Sequence, residues 1–66
     1  MKPSGWNNEG VVLRELGRYK DAIDRFDKAL LLDPNYEEAQ KNRNNTLQDM
    51  NRIVSLGGSQ GASIAL

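Results

Sequence analysis

A chain of 66 residues with no His and no Cys lacks the commonest general base, the thiol nucleophile and the favoured transition-metal ligands. What remains are carboxylates, amides and amines, and the groupings they form can be taken in turn. Asp21, Asp24 and Asp27 recur at every third residue and could suggest oxygen ligands for a hard cation. Each has a basic neighbour, however, and none sits in a loop with metal-binding spacing. Gly57-Gly58-Ser59 has the composition of a phosphate loop, but no helix follows to aim backbone amides at an anion. No Ser stands in a nucleophile motif. The run Asn42-Arg43-Asn44-Asn45 could hydrogen-bond to bases, yet it carries one arginine and no interleaved aromatic residue. The chain therefore reads as a non-enzyme that needs neither cofactor nor metal.

Charge and hydropathy narrow the partners. Nine Lys and Arg balance nine Asp and Glu, so no net field draws the chain to nucleic acid or to an anionic membrane. The longest apolar run, Ala29 to Leu32, is far short of the roughly 20 residues that cross a bilayer, and no charged-then-apolar leader precedes it. A cytoplasmic chain is expected, and the lack of Cys is compatible with a reducing compartment.

Three stretches with helical spacing must position whatever the chain presents. In the first, about residues 4–16, Trp6, Gly10, Leu13 and Leu16 step by four, three and three, which predicts one buried face. Gly17 suits the left-handed position that ends many helices. In the second, about residues 20–32, Ala22, Phe26 and Ala29 make one stripe while Ile23 and Leu30 make its neighbour, which predicts two packing partners. Asp21 precedes Arg25 by four residues and Asp24 precedes Lys28 by four, the favourable order for ion pairs along a helix. Pro34 stops this helix at Asp33. Asn35, with Glu38 three residues on, is the expected cap of the third helix. That helix, about residues 36–54, holds Ala39, Leu47, Met50, Ile53 and Val54 on a thin apolar face interrupted by Gln40 to Asn45, as suits a helix covering the end of a stack. Residues 57–66 form a small, polar tail expected to be flexible.

The segment Pro3 to Tyr36 resembles a tetratricopeptide repeat, whose pattern of about 34 residues reads Trp-x2-Leu-Gly-x2-Tyr, then Ala-x3-Phe, then Pro. Trp6, Gly10, Ala22, Phe26, Ala29 and Pro34 stand at the pattern's positions, and Leu16-Gly17-Arg18-Tyr19 matches its first linking segment. Leu13 replaces the pattern's Tyr. Glu9 replaces its Leu, so this edge of the first helix is expected to face water or a polar partner. The resemblance implies an all-α fold of α-solenoid type: an antiparallel helix pair plus a third, capping helix, in one unit over residues 1–56. Its repeat core would be Trp6, Gly10, Leu13, Gly17, Tyr19, Ala22, Phe26, Ala29 and Pro34.

The resemblance also implies a protein-binding module, with a groove that receives a peptide segment of the partner. The corresponding positions are Asn7, Val11, Arg14 and Glu15 on the first helix and Lys41, Asn45 and Gln48 on the third. Lys41 and Asn45 are one turn apart, so an ammonium and an amide could together hold a carboxylate, as a Lys and an Asn do in one branch of the family. Such repeats rarely bury their apolar faces alone, and a chain this short buries only about 60% of its unfolded surface. A weak homo-oligomer is therefore the alternative expectation, with Val11, Val12, Ile23 and Leu30 as the self-association surface.

Overall fold

The computed structural model describes residues 2–56, with side chains as far as Arg52. The described residues form three helices in succession, α1 Pro3–Glu15, α2 Tyr19–Leu32 and α3 Glu37–Leu56. Both α1 and α3 pack on α2, and they meet each other only sparsely. The all-α fold and the two packing partners of α2 are as expected; the tail at 57–66 lies outside the described residues.

Pro3 opens α1, where the amide proton it lacks would have had no partner within the helix. At the other end the Arg18 N–H donates to the Leu13 carbonyl at 2.8 Å and the Gly17 N–H to that of Arg14 at 2.9 Å. With Gly17 at φ +83°, this is the Schellman ending, which satisfies two carbonyls the helix would otherwise leave bare. Leu16, expected on the buried face, is instead 67% exposed. It is the residue capping the helix, and it follows Val12, itself 54% exposed, by one helical turn on the same exposed face.

The core is small. Ala22, Phe26, Ala29 and Ala39 are fully buried. Phe26 lies against Gly10 so closely that a Cβ built on that glycine would come within 2.5 Å of the ring. A side chain at position 10 is thus excluded, and the glycine's cost in a helix interior, about 0.5–1 kcal/mol, is offset by the close approach it permits.

The second turn corrects an expectation. Helix α3 begins at Glu37, so Tyr36 and not Asn35 stands at its threshold. The chain between Asp33 and Tyr36 closes on itself: the Tyr36 N–H donates to the Asp33 carbonyl at 3.0 Å, and the Asn35 N–H to the Asp33 carboxylate at 3.2 Å. Asp33 is extended, as the residue before a proline prefers, and its side chain organises the turn assigned above to Asn35. Gln40 supports the same turn by donating to the Pro34 carbonyl at 2.7 Å.

Candidate partner-binding face

The site expected from the sequence lies along α1 and α3, and the structure divides its residues into two groups. Asn7, expected to face outward, is 1% exposed: Asn42 donates an amide hydrogen to its carbonyl oxygen at 3.0 Å. Among the described residues, the buried Nδ2 of Asn7 finds no hydrogen-bond partner. Arg14 reaches α3 and donates from Nη2 and Nε to one oxygen of Asp49, at 2.6 and 3.1 Å, both side chains being about one-third exposed. Asn7 and Arg14 thus fasten α1 to α3 instead of lining an open groove. The second group comprises Lys41, Asn45 and Gln48, which are exposed along one side of α3, with Glu15 exposed and Val11 half-buried on α1.

The self-association candidates divide as well. Val12 is 54% exposed, whereas Val11, Ile23 and Leu30 are half-buried. Leu31 is 81% exposed and Leu32 54%; neither stood out in the sequence, because their apolar run reads equally well as a core segment.

Of the repeat-core residues, Gly10, Ala22, Phe26 and Ala29 are buried, and Trp6, Leu13 and Tyr19 half-buried. Gly17 and Pro34 are exposed and act through the backbone instead. Trp6 packs beneath two cations, with Lys28 Nζ 5.2 Å and the Arg25 guanidinium 6.0 Å from its ring centre. This geometry also explains why the expected pairs along α2 do not form. Lys28 turns to the Trp6 face, while Arg25 crosses to Glu9 on α1 at 3.1 Å and also touches its neighbour Asp24. Asp21 pairs with Arg18 at 2.8 Å. Glu9 is therefore half-exposed and paired, in keeping with a polar edge.

Interhelical polar contacts were the main features the sequence reading missed. Besides Asn7–Asn42 and Arg14–Asp49, Arg43 bonds Asp27 across α2 and α3 at 2.5 Å. The two α1–α3 pairs are both separated by 35 residues, and the Glu9–Arg25 and Asp27–Arg43 pairs both by 16. Thr46, fully buried, donates to the Asn42 carbonyl one turn back at 2.6 Å and so satisfies its hydroxyl inside the packed helix. Half of the asparagine-rich run is consequently engaged, since the half-buried Asn42 and Arg43 both hold α3 in place, while Asn44 and Asn45 are exposed.

Among the described residues no grouping of acidic side chains is arranged to hold a metal ion, and no helix is long and apolar enough to cross a membrane. On the side of α1 turned away from Asn7 and Arg14, an open groove of about 380 Å³ is lined by Gly5, Asn8, Glu9, Val12, Leu13 and Arg25.

An antiparallel helical pair, closed by a glycine turn and locked by a small residue against an aromatic ring, with a third helix packed on its second member, defines a helical-repeat architecture. The family model for the tetratricopeptide repeat matches residues 3–36, and the chain belongs to that family. No curated protein and no solved structure matches the chain.

Proposed function

We propose that the chain binds an extended segment of a partner protein along the exposed side of α3, and that it catalyses nothing. Membership of a family of protein-interaction repeats supports the general reading. The observation that carries the particular one is the alignment of Lys41, Asn45 and Gln48, all exposed and spaced by four and three on one side of α3. Lys41 supplies a flexible ammonium and Asn45 an amide one turn away, a combination suited to a carboxylate at the end or in the side chains of a peptide. Arg14 does not join them, because Asp49 already engages it.

The test is a titration of isotope-labelled protein with a library of short peptides ending in a free or an amidated carboxylate. Shifts at Lys41, Asn45 and Gln48 that require the free carboxylate are expected. Replacing Lys41 and Asn45 together by Ala should weaken that binding about tenfold or more, since a charge-assisted hydrogen bond contributes about 1.5–3 kcal/mol. Unchanged binding by the double variant would refute the assignment.

A further inference from the structure

The polar row on α3 does not end at Gln48. Arg52 follows four residues later, so Lys41, Asn45, Gln48 and Arg52 step by four, three and four along one side of the helix. The Arg52 side chain is 67% exposed, and its guanidinium stands 3.7 Å from Asp49, too far for a hydrogen bond. Asp49 is engaged more closely by Arg14, which makes two bonds to its other oxygen. Among the described residues that loose contact is the only ion pair of Arg52, and Lys41 has none.

We infer that this row reads an extended acidic peptide at two points, its terminal carboxylate at Lys41 and Asn45 and an acidic side chain about five residues earlier at Arg52. The second contact rests on the carboxylate reading of Lys41 and Asn45 proposed above. Its spacing follows from the helix. Three turns separate the two cations, about 16 Å at 1.5 Å per residue. An extended chain covers about 3.3 Å per residue, so groups about five residues apart span the same distance.

Charge sets the direction. Beyond Lys41, toward the start of α3, the exposed Glu37 and Glu38 repel an acidic segment, so a peptide whose end lies at Lys41 runs toward Arg52. Between the cations lie only Asn45 and Gln48. Each amide both donates and accepts, which matches the N–H and C=O groups of an extended backbone. A nucleic acid strand suits the row less well: it carries a charge about every 3.4 Å, and most of its phosphates would face amides instead of cations.

The test uses the full chain in about 50 mM salt, where exposed charges are weakly screened. Short peptides of Gly, Ser and Ala, all ending in a free carboxylate, carry one Glu at each position in turn, and binding is followed by chemical-shift titration. Affinity should peak where the Glu stands about five residues before the last, about threefold to fivefold above a peptide without Glu, the range of exposed ion pairs. Arg52→Ala should remove the peak and leave the affinity of the Glu-free peptide within about twofold, since that peptide never reaches position 52 with a charge. Arg52→Glu should transfer the preference to a peptide with Lys at that place. Both variants change an exposed side chain, and circular dichroism should show unchanged helix content. Affinity that needs the terminal carboxylate but ignores the position of the Glu would overturn the second contact while leaving the first standing; affinity indifferent to both would overturn both. Displacement of the peptide by an equal concentration of a single-stranded oligonucleotide would also overturn it.

Discussion

The two seams of this molecule are built on different physics. Between α1 and α2 the contact is steric: a Phe26 ring occupies the space Gly10 leaves, with Ala22 and Ala29 buried alongside. Between α3 and the other two helices, among the described residues, Ala39 and Thr46 are the buried residues of α3 and the fasteners are polar: Asn42 on Asn7, Asp49 on Arg14, and Arg43 on Asp27. An apolar interlock tolerates almost no change of volume but is indifferent to salt. A seam of partly exposed ion pairs and amides tolerates substitution and weakens as salt screens it. The hairpin is therefore the rigid unit and α3 the adjustable one, which suits an element proposed to meet a partner.

The largest test of this contrast is Phe26→Ala. It should cost about 3–5 kcal/mol and, in a domain this small, abolish the cooperative thermal transition seen by circular dichroism. Gly10→Ala attacks the same contact from the other side. The added methyl must displace the ring, so despite the higher helix propensity of Ala a loss of about 1–3 kcal/mol is expected in chemical denaturation. Gly17→Ala should cost about 1 kcal/mol, since nothing lies within 4 Å of the added methyl and only its left-handed backbone objects. The smallest effect belongs to the polar seam. A double-mutant cycle on Arg14 and Asp49 should give a coupling of about 0.5–1 kcal/mol that shrinks at high salt. Amide exchange should accelerate in α3 well before the hairpin. If α3 and the hairpin lost protection together, the distinction between the seams would fail.

Much of the hairpin was legible because its determinants are local. Gly17 and Pro34 end their helices through their own backbone preferences, and the stripe of Ala22, Phe26 and Ala29 declares its buried side through spacing alone. Asn35 was misread because two short polar residues, Asp33 and Asn35, compete for the same turn, and Asp33 is the one whose carboxylate reaches an amide. Within the candidate site, Lys41, Asn45 and Gln48 could be placed on one face of α3 by counting. The burial of Asn7 could not, since it depends on a residue 35 positions away.

By itself, then, the sequence determined three helices, their two turns, the close crossing at Gly10 and the membership of an interaction family. These follow from periodicity and from backbone limits that each residue carries with it. The tertiary structure alone decided which polar groups are used up internally. Arg25 takes Glu9 in preference to its helical neighbour Asp21, Arg14 is taken by Asp49, and Asn7 is covered by Asn42. A charged or amide side chain has several partners within reach of its own helix, and only the approach of another helix selects among them.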